Sequence, residues 1–347
     1  MKKAKRINSK RKRNVLLRRV TVSGLFLAAA ALAVLLGWQV FRGIAVAIAT
    51  GDRPVSTPAS TTAAPTTTTT TYPTISVSAP LASPRVAVYD VTHSAMLYSQ
   101  NADQRCYPAS LTKMLTAIIA TDLCEPDEEF IAGSELSLVQ RNSSRAGLWA
   151  GYRLTRDMII DAMLLPSGND AAYTVAVNVG RKITGDPKSS DLDALFAFAD
   201  KMNAKAQELG AVDSHFSNPD GYYSADHYTT AADMLKIAKA AMQYDNIYKA
   251  MGKTSAQYVL LSGQKMTFKN TNKIINPKSS FYYEGATGMK TGSTNESGFC
   301  IAASAKRNGV EIITIIMGSI SNDSRYVDAI ALFNEAFNVG TTTAAMP

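Results

Sequence analysis

Ser110 and Lys113 stand three residues apart in Tyr107-Pro108-Ala109-Ser110-Leu111-Thr112-Lys113. Met114 to Leu123 follows at once, with apolar residues at helical spacing and neither glycine nor proline, which predicts a buried helix. Pro108 disfavours a helical Tyr107, so Ser110 is expected at or near the helix N-terminus. Lys113 then lies on the same helix face, one turn along. A serine hydroxyl is a poor nucleophile until a base takes its proton. A lysine is such a base when burial or a neighbouring positive charge lowers its pKa. The same spacing recurs at Ser9/Lys12, in a basic tail, and at Ser262/Lys265, in a hairpin-turn segment. An isolated copy carries no meaning; only Ser110 opens an apolar helix.

Two further short segments offer polar groups on rigid backbone. Leu165-Pro166-Ser167-Gly168-Asn169-Asp170 reads as a turn between helices, presenting a hydroxyl and a carboxamide. Taken alone it is a helix end followed by capping residues, Asn169 and Asp170. Met289-Lys290-Thr291-Gly292-Ser293-Thr294 lies on or ends a strand. Gly292 lets a ligand lie flat there, beside Lys290 and Thr291, which suit an anionic group.

These segments need elements to bring them together. Val86 to Val91 and Met96 to Ser99 read as strands joined by a short turn. Helical patterns cover Thr155 to Leu165, Asp170 to Val179, Asp191 to Leu209 and Thr229 to Met242. Strand patterns return at Tyr258 to Leu261, Gly285 to Thr291, Gly298 to Ala305 and Glu311 to Met317, before a closing amphipathic helix from about Asp323 to Phe337. Strands at both ends with helices between predict an α+β domain, one antiparallel sheet with a helical region inserted. At this size two lobes with a cleft are expected.

Three segments precede that domain. Residues 1–19 carry ten basic and no acidic residues; Val20 to Phe41 is a 22-residue run without charge. As a helix it spans about 33 Å, close to a bilayer core. The basic tail (1–19) is expected in the cytoplasm, residues 20–41 as a membrane anchor, and the rest of the chain outside. The competing reading is a signal cleaved at Ala47-Ile48-Ala49. Residues 50–83, rich in threonine and proline, read as a disordered stalk, reaching about 120 Å when extended. The catalytic domain is expected over 84–338, with a short tail at 339–347. From Ser83 onward the chain has 24 basic and 27 acidic residues, so the formal charge of +8 is no argument for nucleic-acid binding. Cys106, Cys124 and Cys300 form no disulfide framework: Cys106 and Cys124 are too far apart along the predicted helix to bond, a single bond involving Cys300 stays open, and small buried thiols are the expectation. The scattered His93, His215 and His227 predict no metal site.

Ser110/Lys113, Ser167/Asn169 and Lys290-Thr291-Gly292, in this order, resemble the active-site motifs of penicillin-binding proteins and serine β-lactamases. Leu164 to Ala172, His215 to Gly221 and Gly288 to Thr294 narrow the resemblance to the low-molecular-mass D-alanyl-D-alanine carboxypeptidases. It covers about Pro84 to Asn338. It implies a penicillin-binding/β-lactamase-like fold and a substrate, the peptidoglycan stem peptide ending in D-Ala-D-Ala, with β-lactams as acylating ligands and no cofactor. It implies that Ser110 attacks the peptide carbonyl, Lys113 accepts its proton and Ser167 relays a proton to the leaving D-alanine. Asn169 would bind the substrate amide; Lys290 and Thr291 would bind the terminal carboxylate, beside Gly292. The charge of Lys290 would help keep Lys113 neutral, and backbone N–H groups of Ser110 and Ser293 would form the oxyanion hole. Arg325 matches a family arginine near the carboxylate pocket, or is a helix-end surface arginine. Many members carry a C-terminal membrane helix; here the N-terminal segment is expected to serve instead. Asn270-Thr271-Asn272 departs from a family stretch that often has a basic residue in its middle.

Two alternatives use the same motifs. A serine β-lactamase of one large class needs a Glu-x-x-x-Asn loop after the second motif. The only glutamates between Asn169 and Lys290 are Glu208 and Glu284, and Val212 and Gly288 occupy the asparagine positions. A non-catalytic penicillin-binding wall sensor would bind without hydrolysis, but nineteen cytoplasmic residues are few for a signalling domain.

Overall fold

A computed structural model describes residues 72–77 and 80–343. The basic tail, the apolar run 20–41 and the stalk up to residue 71 lie outside the described residues. The first strands, β1 (Arg85–Asp90) and β2 (Ala95–Gln100), form a hairpin. A short 3-10 turn, Ala109–Thr112, leads into α1 (Lys113–Leu123). The two-stranded ribbon β3 (Glu129–Ile131) and β4 (Arg153–Thr155) then frames a long loop. Four helices follow: α2 (Arg156–Leu164), α3 (Asn169–Thr184), α4 (Asp191–Glu208) and α5 (Ala231–Met242). The short α6 (Asp245–Gly252) precedes a hairpin of β5 (Ser255–Val259) and β6 (Lys265–Lys269). The chain closes with β7 (Ala286–Gly288), β8 (Thr291–Thr294), β9 (Gly298–Arg307), β10 (Val310–Ser319) and α7 (Ser324–Thr343).

Both ends of the domain meet in one antiparallel sheet, ordered β2-β1-β10-β9-β7, with β8 also on β9. The α+β architecture expected from the sequence is therefore present. Its two central strands are buried on both faces, which explains their near-continuous apolar run. Ile313, Ile315 and Met317 face a core shared with α1 and the helical lobe. Ile312 and Ile316 face the other way, onto Tyr326, Leu332 and Phe333 of α7. A fully buried aliphatic side chain stabilises by roughly 1.5–3 kcal/mol, so α1, with Met114, Leu115, Ile118 and Ile119 fully buried, is fixed firmly behind Ser110.

Three expectations need correcting. Ser110 does not open an α-helix; it sits within the 3-10 turn, and the α-helix begins at Lys113. The strand expected over Gly285 to Thr291 is split into β7 and β8 by Met289, whose φ of 87° cannot continue a strand. Ordered structure also begins before Pro84. Ile75 is buried and its N–H bonds the Leu97 carbonyl on the edge of β2 at 3.0 Å, while the Tyr72 hydroxyl donates to Asp90. That contact covers part of an otherwise open sheet edge. All three cysteines are free thiols. Among the described residues, no helix is long and apolar enough to cross a membrane, and no cluster of His, Cys, Asp or Glu is arranged for a metal.

Candidate active site

The 3-10 turn carrying Ser110 is forced into shape from two sides. Ala109 has φ 47°, a left-handed conformation that a side-chain-bearing residue adopts only under constraint. Its carbonyl accepts from the Thr112 hydroxyl at 2.9 Å, and Thr112 in turn meets His227 Nε2 at 2.9 Å. Ser217 N–H donates to His227 Nδ1, so the ring proton sits on Nε2 and points at Thr112. Gly221 (φ 81°) presses on the other side: a Cβ there would lie 1.8 Å from the Ala109 oxygen.

Lys113 is fully buried. Its Nζ reaches Ser110 Oγ at 2.9 Å, Asn169 Oδ1 at 2.6 Å and the Asp220 carbonyl at 2.7 Å. Burial lowers its pKa from 10.5 to about 8, against the opposing charges of Asp220 and Asp170. Its neutral amine has two N–H bonds and one lone pair. Asn169 and Asp220 offer only acceptors, so the lone pair is left facing the Ser110 hydroxyl. This is the geometry of a general base on a nucleophile.

The second motif sits between α2 and α3. Ser167 is buried with φ 62°, and its hydroxyl makes no hydrogen bond with any described residue. Gly168 is required next to it, since a Cβ would fall 2.6 Å from the Ala162 carbonyl. Asn169 opens α3 and lines the cleft; with its oxygen held by Lys113, its amide nitrogen remains a donor. Asp170 is not the N-cap of α3, which is Gly168, but its carboxylate accepts the Ala171 N–H in the helix's first turn at 3.0 Å and also the N–H groups of Ala146, Gly147 and Leu148 at 2.7–3.0 Å. That ties down the loop whose Asn142, Ser143 and Ser144 form the cleft's far wall.

The third motif runs along β8, which pairs with β9 alone. Lys290 stands opposite Ala302, on the sheet face shared with α1. It is buried, donates to the Thr291 carbonyl at 2.8 Å, and is held well below its ordinary pKa, chiefly by burial and then by the charges of Lys113 and Arg325. Thr291 Oγ1 meets Thr271 Oγ1 at 3.1 Å, which joins the Asn270-Thr271-Asn272 stretch to the site. At Gly292 a Cβ would lie 2.7 Å from Ser110 N, so only glycine lets β8 approach the nucleophile. Ser293 lines the cleft.

Together these walls enclose a cleft of about 720 Å³ with Ser110, Asn169, Asp220, Tyr222, Tyr223, Ser293 and Glu296 on its surface. Residues 70–321 match the D-alanyl-D-alanine carboxypeptidase family, Peptidase S11. The chain belongs to that family. It is 29% identical over 248 residues to the D-alanyl-D-alanine carboxypeptidase DacF of Bacillus subtilis, covering 70% of this chain but 59% of that relative. It is 32% identical to the D-alanyl-D-alanine carboxypeptidase of a Streptomyces species, over 70% of this chain and 82% of the relative. The crystal structure of the Streptomyces K15 DD-transpeptidase superposes with a TM-score of 0.68 at 29% identity, covering 75% of this chain and 98% of that one. The penicillin-binding type of fold implied by the motifs is thus the observed one.

Within this S11 domain, Ser110, Lys113 and Asn169 are joined directly by hydrogen bonds. Arg325 is placed differently from a substrate-facing group. It is buried on the first turn of α7, where it donates to the Gly292 and Cys300 carbonyls at 3.0 Å and to Asn322. It braces β8 and β9 from behind and is absent from the cleft wall. Asp220, His227 and Asp170 were not singled out as functional from the sequence. The signal for the first was the Asp220-Gly221 turn within a segment already noted for its resemblance; the other two contact backbone or side chains remote in sequence.

Proposed function

We propose that the chain is a serine D-Ala-D-Ala carboxypeptidase that trims peptidoglycan stem peptides through an acyl-enzyme on Ser110. The observation that carries this reading is the buried Lys113 amine, which has Ser110 Oγ at 2.9 Å and both N–H bonds occupied by Asn169 and Asp220. Ser110 Oγ attacks the carbonyl carbon between the two D-alanines while its proton passes to Lys113 Nζ. Developing charge on the carbonyl oxygen falls beside the backbone N–H groups of Ser110 and Ser293. The C–N bond then breaks, the leaving amine takes a proton through Ser167, and D-alanine departs. Water attacks the ester with Lys113 as base, and the Ser110 hydroxyl is restored. Lys290 and Thr291 supply positive charge and a hydroxyl for the terminal carboxylate, with Arg325 fixing the strand that presents them. β-Lactams acylate the same serine.

The apolar run 20–41 anchors this domain on the outer face of a membrane, with the stalk as spacer. Fractionation of cells expressing the full-length chain checks that part: it should sediment with membranes and be released by detergent but not by salt. The enzymatic reading is tested by intact-mass spectrometry of the full-length chain in detergent after benzylpenicillin. One adduct is expected on the parent and none on Ser110→Ala, with D-alanine released from pentapeptide by the parent alone. A folded parent without an adduct sinks the nucleophile assignment. An adduct lost within seconds as the drug is destroyed points to β-lactamase.

A further inference from the structure

Asp220 is a carboxylic acid buried on the floor of the cleft, 1% exposed. Its Oδ1 accepts from the Tyr222 N–H at 3.0 Å, while its Oδ2 has no hydrogen-bond partner among the described residues. A buried carboxylate oxygen left unpaired is costly, and a fold that needed only a turn here would be served by a smaller or apolar side chain. The turn itself is clamped to α1. Thr116 Oγ1 donates to the Pro219 carbonyl at 2.7 Å, and Lys113 Nζ, one helical turn earlier, donates to the Asp220 carbonyl at 2.7 Å. Asn218 Oδ1 receives the Gly221 N–H at 2.8 Å, and Gly221 is wedged against Ala109. The carboxyl is therefore held rigidly near the base.

We propose that Asp220 is a positioning residue for Lys113: its carboxylate stabilises the ammonium that forms as Ser110 gives up its proton, and its carbonyl oxygen fixes where that ammonium sits. The proposal rests on the acyl-enzyme reading above. Charge develops on Lys113 during acylation, and a fixed opposite charge in a dry site acts most strongly at that moment. The surrounding groups leave this role to Asp220. Asp170, the other acid acting on Lys113, already accepts from three loop N–H groups. His227 is held neutral by burial, its pKa pushed down to about 3. Lys290 and Arg325 are bases whose charge can only oppose a second ammonium, and Tyr173, which also feels Asp220, is pushed upward by burial and stays neutral. Asp220 and Lys113 shift each other: burial raises the acid while the Lys113 charge opposes the rise.

The test is the pH dependence of benzylpenicillin acylation of the full-length chain for the parent and Asp220→Asn, with Asp220→Ala as a second variant. Asparagine keeps both the backbone carbonyl and an oxygen for Tyr222. Removing a nearby opposite charge lowers the proton affinity of Lys113, so the acidic limb of the acylation profile should move down by about one pH unit or more. Lys113 then becomes a weaker base, and the high-pH plateau should fall about 3- to 10-fold. Affinity for the drug before acylation should not change. A merely structural role lowers the rate at every pH and leaves the limb in place. A limb that stays, or moves up, in whichever variant folds overturns the proposal. Absence of any adduct on the parent overturns instead the acyl-enzyme reading, so the two failures are distinguishable.

Discussion

Gly292→Ala is the sharpest probe of how the cleft is assembled. The backbone at Gly292 is not in the left-handed region, so alanine carries no conformational penalty there. The added Cβ would instead lie 2.7 Å from Ser110 N, 3.0 Å from Ala109 Cβ and 3.2 Å from Leu111 N. Ordinary contact between such atoms is about 3.5 Å or more, so β8 and the nucleophile turn must separate by roughly 0.8 Å. Neither side can yield freely. The Gly292 carbonyl is held by Arg325, and the turn is held by Gly221 and the Thr112–His227 pair. The two proposed oxyanion donors, Ser110 N–H and Ser293 N–H, lie on opposite sides of this seam. Widening it breaks at least one of those bonds, which costs about 10²–10³ in rate, or roughly 3–4 kcal/mol of transition-state stabilisation. Quenched-flow intact-mass spectrometry with benzylpenicillin gives the second-order acylation constant directly, and a thermal melt reports the fold. The expected result is a 10²–10³-fold loss with the domain still folded. An acylation constant close to the parent's in a protein of unchanged melting temperature would refute the argument that this seam is the oxyanion hole.

Three other outcomes follow from the buried network. Lys113 ionises at about 8 rather than 10.5, so acylation should rise with pH through about 8 and then level. The unfolded chain keeps that proton up to 10.5, so stability should rise with pH between those values, a slope that Lys113→Met abolishes along with acylation. His227 is neutral in the fold down to about 3 but takes a proton near 6.5 when unfolded. Its contribution is therefore complete above 6.5 and lost as pH falls toward 3, and pH-dependent urea melts of His227→Gln should show a shallower acid limb. Asp170→Ala leaves three loop N–H groups without their charged acceptor, and denaturant unfolding should show a loss of about 3 kcal/mol or more.

The legible part of this molecule is periodic or local. Helix patterns placed α2, α4 and α5 within a few residues, and the near-continuous apolar run of Glu311 to Met317 marked β10. β3 and β4 were missed because three-residue strands hold too few residues to show alternation. β7 and β8 were merged because Met289, an ordinary strand former, is held at φ 87° by its surroundings. In the site, Ser110, Lys113 and Asn169 could be named because their types and order carry meaning. The loop-binding work of Asp170 could not, since its loop partners lie 22–24 residues away and are backbone groups of any residue type. The position of Arg325 fits either an arginine near the carboxylate pocket or one at a helix-end surface, while the hydrogen bonds to two strand carbonyls that bury it depend on the packing of α7.

The strain in this fold is placed where the chemistry needs it. Ala109, Ser167 and Met289 all have positive φ, and each lies in or next to one of the three motifs. Such residues cost on the order of 1–3 kcal/mol each unless the surroundings over-determine them. The surroundings here do so with glycines and buried polar groups. Gly221 and the Thr112–His227 pair hold Ala109, Gly168 packs on the Ala162 carbonyl beside Ser167, and Gly288 (φ 119°) abuts the Met251 carbonyl before Met289. A bulge between Ala286 and Gly288 shifts the strand register and sets which residues of the third motif face the cleft and which face the core. Three turns from distant parts of the chain are thus bent by packing rather than by their own preferences. They bring Ser110, Asn169 and Gly292 to one point, around a buried lysine whose proton the fold has made easy to lose.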